Sequence, residues 1–174
     1  MIKVGIIMGS DSDLALMAET ARALEHFAIG YEMVVASAHR HPEKVARYAR
    51  GAADAGLKVI VAGAGGAAHL PGVVASMTVL PVIGVPIAIP PLGGVDSLYA
   101  IVQMPQGVPV ATVSVNGAYN AGLLAVQMLA LEDEALREKL SGYRQGLAAQ
   151  VEARDCRLRE IGWPGYLAEK EGRK

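Results

Sequence analysis

The feature that most constrains the fold of this sequence is a repeated order of a short apolar run, a polar turn and a helix-spaced segment. The runs cover residues 3–8, 31–36, 57–62 and 79–85. They are continuously apolar rather than alternating, which is typical of strands that are covered on both faces. Strands that alternate with helices favour a parallel sheet with right-handed crossovers. We therefore predict an α/β three-layer sandwich with a doubly wound, mainly parallel sheet.

The second half of the chain extends this flavodoxin/Rossmann-like pattern. A proline-rich loop over 86–94 precedes a predicted helix over 96–104, a fifth strand over 109–115 and a largely apolar helix over 118–131. One stripe on a long C-terminal helix follows: Leu136, Leu140, Tyr143, Leu147 and Val151. After residue 155 the sequence is charged and shows no clear periodicity. We expect one α/β domain over 1–155 and a tail over 156–174 that docks on a neighbouring subunit.

Composition excludes several classes of function. The chain is 52% hydrophobic and 19% charged, with a formal net charge of -1, which argues against disorder. There is no positive excess and no basic run in the body of the chain, so nucleic-acid binding gains no support. With 5% aromatic residues, a platform for stacking bases is also not expected.

The single cysteine and the N-terminus bear on the compartment. Cys156 cannot form an internal disulfide, which favours a reducing environment. Residues 1–5 enter an apolar strand at once and lack the parts of a signal peptide. Gly and Pro interrupt every long apolar stretch, so no membrane span is predicted. We expect a cytoplasmic protein, and its high apolar content favours burial between subunits.

Chemistry-bearing residues concentrate in the turns after the first three strands. In a parallel α/β sheet these turns meet at one edge, where ligands bind. The first turn contains Ser10, Ser12 and Asp13 before a helix N-terminus. Its hydroxyls and free N–H groups suit an anion, and Asp13 suits sugar hydroxyls. Ser10, Asp11 and Ser12 are also ordinary helix-capping residues, and this alternative stays open.

The second turn, SAHRHP, combines an anion-binding side chain with an imidazole. Arg40 can hold a phosphate through two hydrogen bonds, and Ser37 can add a third. Histidine titrates near neutral pH, as a general acid or base should, so His39 is the candidate for proton transfer. The alternative is that His39 and His41 are turn residues, one of which caps the helix that begins at Pro42.

The third turn, AGAGGAAHLPG, offers space. Gly63, Gly65 and Gly66 leave room for a planar ring, and their N–H groups can bind a carboxylate. Neither a dinucleotide fingerprint nor a phosphate-binding P-loop is present. His69 is equally compatible with a catalytic and with a purely structural role. Metal binding by His39, His41 and His69 is disfavoured, because supporting acids and motif spacing are missing, and no metal or cofactor is predicted.

Taken together, these turns closely resemble the PurE family, the 5-(carboxyamino)imidazole ribonucleotide mutases. The matching stretches are GIIMGSDSD from Gly5, SAHR from Ser37, AGAGGAAHLPG from Ala62, PVIGVP from Pro81 and GVDSLYAIVQMPQGVPVAT from Gly94. The resemblance extends from Lys3 to about Leu131, and the long C-terminal helix follows in the expected place.

The resemblance implies a homo-octamer and a reaction in purine (IMP) biosynthesis. A carboxylate moves from the exocyclic nitrogen of an aminoimidazole ribonucleotide to ring carbon 4, without ATP, biotin or metal. By position, His39 is the acid/base, and Ser10, Asp13 and Arg40 bind the substrate. Ser12 and Ser37 assist at the phosphate, and the loop at Ala64 and Gly65 holds the ring and the migrating carboxylate.

Two alternatives remain beside the mutase. A second branch of the family adds free carbon dioxide to the aminoimidazole, but it replaces GAGGAAHL with a more polar loop, whereas this chain keeps it. A flavodoxin-like module that only binds a nucleotide or flavin is the non-catalytic alternative. The chain also departs from the family in three places: His41 replaces a frequent Thr, the 86–94 loop is richer in proline, and the 113–120 segment is shorter.

Overall fold

The computed structural model describes residues 2–172, which form five strands and six α-helices. The strands are β1 (Ile2–Met8), β2 (Gly30–Val35), β3 (Val59–Gly65), β4 (Val82–Ile87) and β5 (Ala111–Thr112). The helices are α1 (Leu14–His26), α2 (Pro42–Gly51), α3 (Leu70–Ala75), α4 (Val95–Val102), α5 (Ala118–Leu129) and α6 (Glu134–Glu171). A short 3-10 helix, Asp11–Asp13, precedes α1. Each predicted strand and helix is present, although several bounds differ.

The sheet has the strand order β2-β1-β3-β4-β5, and each neighbouring pair is parallel. This confirms the predicted doubly wound α/β fold. The central strands are buried on both faces, as continuous apolar runs require: all six residues of β4 are buried, and so are the last five of β1. The order in which successive strands are added to the sheet reverses between β1 and β3, and the carboxyl ends of these two strands flank the crevice that such a reversal creates.

Helices cover the two faces of the sheet. Helices α1 and α5 pack together, and the buried Thr20 hydroxyl donates to the Ala118 carbonyl oxygen at 2.8 Å. A separate core cluster joins Val45 of α2 and Val74 of α3 to Ile60 of β3. Because side chains alternate between the faces of a strand, these two groups of helices form the outer layers of a three-layer sandwich.

The bounds of several elements differ from the sequence prediction, and three of these differences have a clear structural cause. Strand β3 continues to Gly65, because Ala64 and Gly65 still pair with β4. Strand β5 has only two residues, since it lies at the sheet edge and pairs with β4 alone. Helix α3 covers six residues rather than eleven, with Pro71 in its first turn as expected.

The chain divides into two compact units between Glu132 and Asp133. The second unit contains α6, whose first turn is capped by Asp133: its carboxylate accepts from the Leu136 N–H at 3.0 Å. Helical geometry is interrupted at Gly162, which has φ 68° and ψ 166°. Beyond this break the chain returns along itself, so that Arg157 pairs with Glu169.

The tail that was expected to lack periodicity is therefore mostly helical. The break at Gly162 shifts the phase of the helix, which removes any continuous 3.6-residue pattern from the sequence. Of the predicted stripe on α6, Leu136 is buried, whereas Leu147 and Val151 are exposed. The domain boundary at residue 155 and the docking of the tail stay predictions. No helix within residues 2–172 has the length and apolarity to cross a bilayer.

Candidate active site

The three chemistry-bearing turns line one cleft of about 360 Å³ at the carboxyl ends of the strands. The residues to which the family resemblance assigns a role all border this cleft: Ser10, Ser12, Asp13, Ser37, His39, Arg40, Ala64 and Gly65. Gly63 and Gly66, which were also predicted to leave room for a ring, are not among its lining residues, and Gly63 packs against Met17 instead. The remaining lining residues are Gly9, Ala38, Ala68, His69, Leu70 and Ile89. The structure thus brings together residues that are up to 55 positions apart, from Ser10 to Gly65.

The first turn is organised by hydroxyl groups. Ser10 caps the 3-10 helix: its Oγ accepts from the Ser12 N–H at 3.3 Å and from the Ser12 hydroxyl at 2.9 Å. The capping interpretation therefore holds for Ser10, whereas Asp13, directly before α1, makes no capping hydrogen bond with its side chain. It does not exclude ligand binding, because the same hydroxyls also border the cleft.

Partial burial raises the pKa of the Asp13 carboxyl above its ordinary value of 3.8. A hydrogen bond from the Ser12 side chain, one from the Ser10 backbone N–H and the positive charge of Arg40 oppose this effect. The balance leaves a carboxyl group that ionises less readily than a solvent-exposed aspartate. Such a group is well placed to accept hydrogen bonds from a polar ligand that replaces its lost water.

Arg40 links the second turn to the first. Its Nη2 donates to the Gly9 carbonyl oxygen at 2.8 Å, and its Nε donates to the Ser37 hydroxyl at 3.3 Å. The Ser37 Oγ also accepts from the Arg40 backbone N–H at 3.2 Å. A guanidinium has five N–H donors, so these two side-chain bonds orient the group and leave other donors for an anion.

His39 is paired with a second imidazole. Its Nε2 lies 2.6 Å from Nδ1 of His69, and the two rings meet edge to face with centroids 4.9 Å apart. A hydrogen bond between two ring nitrogens needs one donor and one acceptor, so a single proton occupies the space between these atoms. His69, which sequence reasoning left undecided, is therefore part of the site. His41 lies outside the cleft lining, and its Nδ1 is 3.4 Å from a Glu43 carboxylate oxygen.

The remaining wall of the cleft is apolar, and part of it is the backbone at Gly65. Gly66 has φ 62°, a left-handed conformation that favours glycine. Ala64, Ala68 and Leu70 are buried beside this segment. Ile89 completes the wall, and no feature of the sequence marked it, because it belongs to the loop after β4 rather than to the three turns.

Within residues 2–172 no group of three or more His, Cys, Asp or Glu side chains is arranged to hold a metal ion. The two imidazoles of the cleft face each other, and His41 contacts Glu43 instead of joining them. The cleft thus presents two hydrogen-bonded imidazoles beside the guanidinium of Arg40.

The fold and the cleft define a flavodoxin-like α/β protein with an arginine side chain and an imidazole pair in one cleft. Comparison with known sequences makes this specific: the family model described as AIR carboxylase matches residues 3–150, and the chain belongs to this family.

Relatives and solved structures agree with this assignment. The chain is 55% identical over 166 residues to the N5-carboxyaminoimidazole ribonucleotide mutase of Pyrococcus horikoshii, which covers 95% of this chain and 94% of the relative. It is 52% identical over 171 residues to the enzyme of the same name from Thermotoga maritima, with 98% and 100% covered. The crystal structure of Treponema denticola PurE superimposes with a TM-score of 0.82 at 28% identity, covering 91% of this chain and 99% of that one.

Proposed function

We propose that this chain is a mutase that converts 5-carboxyamino-1-(5-phosphoribosyl)imidazole to 5-amino-1-(5-phosphoribosyl)imidazole-4-carboxylate in purine (IMP) biosynthesis. The observation that carries the proposal is the meeting of Arg40, His39 and Gly65 at one small cleft. The names of relatives that are 52–55% identical over nearly their whole length support the same reaction.

The polar side of the cleft binds the ribose phosphate. Arg40 supplies a positive charge that its bonds to Gly9 and Ser37 hold in one orientation. The hydroxyls of Ser10 and Ser12, with that of Ser37, add neutral donors. The partly buried Asp13 accepts from the ribose hydroxyls. Anchoring both ends of the ribose phosphate prevents the ring from turning away between the two chemical steps.

His39 transfers protons in both halves of the reaction. It first protonates the carbamate nitrogen, so that the C–N bond breaks and carbon dioxide leaves. The freed aminoimidazole is an enamine, and its carbon 4 attacks the carbon dioxide. The proton on carbon 4 then returns to the same imidazole, so acid and base roles are balanced over one turnover. Ala64 and Gly65 hold the ring and the migrating carboxylate, and the reaction needs no cofactor.

The functional unit that we propose is a cytoplasmic homo-octamer. Exposed apolar side chains support assembly: Val95, Tyr99 and Val102 share one face of α4, and Tyr99 is 59% exposed. In the C-terminal unit Trp163 is 70% exposed. Aromatic and aliphatic groups in such positions are typical of surfaces covered by other subunits. Cover by a neighbour would also remove water from His39, which is exposed in a single chain.

A direct test compares His39→Asn with His41→Asn as a matched control, because His41 lies in the same turn but outside the cleft lining. Each protein is incubated with the carboxyamino substrate without ATP. We expect His39→Asn to fold and to bind nucleotide but to lose about a hundredfold or more in turnover, the usual contribution of a general acid–base. His41→Asn should stay close to the wild type. Near-normal turnover of His39→Asn would remove His39 from the mechanism.

The same assay separates the alternatives. A direct carboxylase would consume aminoimidazole ribonucleotide and need added carbon dioxide for net product. A binding module would bind nucleotide or flavin and convert neither substrate, and bound flavin would colour the protein yellow.

A further inference from the structure

The side chain of Ile89 lies directly against the glycine segment of the cleft. A Cβ added at Gly65 would be 3.2 Å from Ile89 Cγ2, and one added at Gly66 would be 3.1 Å from Ile89 Cδ1. Ile89 is also 40% exposed, whereas its apolar neighbours in the lining, such as Leu70, are buried. It therefore stands between the glycine segment and solvent.

The loop that presents Ile89 is held at both ends. The Ala88 N–H donates to Asn116 Oδ1 at 2.9 Å, and the Gly93 N–H donates to the Ile89 carbonyl oxygen at 3.0 Å. The buried Ser97 hydroxyl lies 2.9 Å from the Gly94 carbonyl oxygen. The two residues after Ile89, Pro90 and Pro91, are prolines, whose rings restrict the backbone. Ile89 is thus a fixed part of the cleft wall.

The proposed mutase reaction releases a neutral intermediate inside the cleft, which the wall at Ile89 has to retain. The inference therefore rests on the proposed function. When the carbamate C–N bond breaks, its electron pair stays on the nitrogen, which takes a proton from His39, and carbon dioxide is set free. The electron pair of carbon 4 then forms the new C–C bond, and the carbon 4 proton leaves. Nothing is oxidised or reduced, but one intermediate is a small uncharged molecule that forms no ion pair and accepts only weak hydrogen bonds.

We infer that Ile89 closes the cleft over the Gly65–Gly66 segment and retains carbon dioxide until carbon 4 captures it. The wall is apolar, so it offers no hydrogen bonds to water that would enter as the gas leaves. Ile89 is then a specificity-determining residue that sets the ratio of rearrangement to decarboxylation. It takes no part in proton transfer.

The test follows the carboxyl carbon. Substrate labelled with ¹³C in its carboxylate is converted in buffer that contains unlabelled bicarbonate and carbonic anhydrase. Mass spectrometry gives the labelled fraction of the product, and chromatography gives the free aminoimidazole ribonucleotide, after subtraction of the rate without enzyme. For the wild type we expect retained label and little free aminoimidazole.

In Ile89→Ala the fraction of carbon dioxide that escapes from the cleft should rise about threefold, because most of the apolar contact made by the Ile89 side chain is removed. Leu92→Ala is the matched control: Leu92 lies on the same loop and is 60% exposed, but it does not border the cleft. Its escaped fraction should equal that of the wild type.

A second pair keeps the inference testable if truncation disturbs the loop. Ile89→Val and Ile89→Thr have almost the same shape and differ in one hydroxyl, so only the threonine should increase escape. Equal label retention in wild type, alanine and threonine variants would overturn the role of Ile89 while leaving the mutase intact. Failure of the wild type to convert the substrate without ATP would instead overturn the proposed function, and the inference with it.

Discussion

The hydrogen bond between His39 and His69 allows a prediction about a residue whose role the sequence left undecided. Nδ1 of His69 lies 2.6 Å from Nε2 of His39. Within the proposed reaction, this contact orients the imidazole that moves the proton. His69→Leu removes the partner atom and keeps an apolar side chain of similar reach. His69→Asn places an amide group near the position of Nδ1, so it can keep the hydrogen bond.

The size of the effect follows from the kind of bond that is lost. A hydrogen bond between neutral groups contributes about 0.5–1.5 kcal/mol net. If that energy holds His39 in its reactive orientation, kcat/KM should fall about 2- to 12-fold in His69→Leu. Loss of the acid–base group itself, in His39→Asn, should cost about a hundredfold or more. The two variants should therefore differ by about eightfold or more.

The measurement is kcat and KM for the carboxyamino substrate over a range of pH, for both His69 variants and the wild type. An orienting role predicts a lower kcat with little change in KM, and recovery in His69→Asn. Equal losses in the asparagine and leucine variants would refute the hydrogen-bond argument, because the bond would then not be the property that matters. A loss in His69→Leu as large as that of His39→Asn would also refute it and would make His69 an acid or base.

Three further perturbations test the phosphate anchor, the buried carboxyl and the core. Arg40→Ala should raise KM about 10-fold or more with a smaller effect on kcat, as expected for the loss of charged hydrogen bonds; unchanged affinity, measured calorimetrically, would place the phosphate elsewhere. Burial raises the pKa of Asp13 above 3.8, so the native state keeps this proton to higher pH than the unfolded chain. The contribution of Asp13 to the free energy of unfolding is fully present below pH 3.8 and is lost as the pH rises through the pKa of the native state. Asp13→Asn should therefore resist urea better than the wild type at pH 7, with an advantage that shrinks towards pH 3.8, and a wild type that is at least as stable at pH 7 contradicts this. Gly122→Ala should lower the free energy of unfolding by about 1–3 kcal/mol, because the new Cβ would lie 2.8 Å from the backbone oxygen of Thr20, whereas Gly51→Ala meets open space and should not destabilise.

Much of the fold and part of the site were predictable from local sequence. Continuous apolar runs and the residues of the turns are local signals, so the strands, the parallel sheet and the three turns were found without coordinates. His39 and Arg40 were recognisable because an imidazole beside a guanidinium follows a predicted strand. The resemblance to a known family named the reaction, which the fold alone does not determine.

Other features depend on residues that only the folded chain brings together. The strand order places β1 beside β3, so the turns that follow these two strands meet. Gly63 and Gly65, which the sequence predicted to lie in a turn, belong to β3 because they pair with β4. His69, the partner of His39, is 30 positions from it in the sequence. Gly9, whose carbonyl oxygen accepts a hydrogen bond from the Arg40 side chain, is 31 positions from Arg40. Local propensity carries no information about such distances.

The sequence by itself therefore determined which chemical groups this protein has at the ends of its strands, because those groups follow directly from local composition. The tertiary structure decided which of them touch: that His39 meets His69 rather than His41, and that Ile89 covers the glycine segment. The physical reason is that contacts across the cleft are set by sheet register and by a loop held at both ends, and these are properties of the whole packed unit.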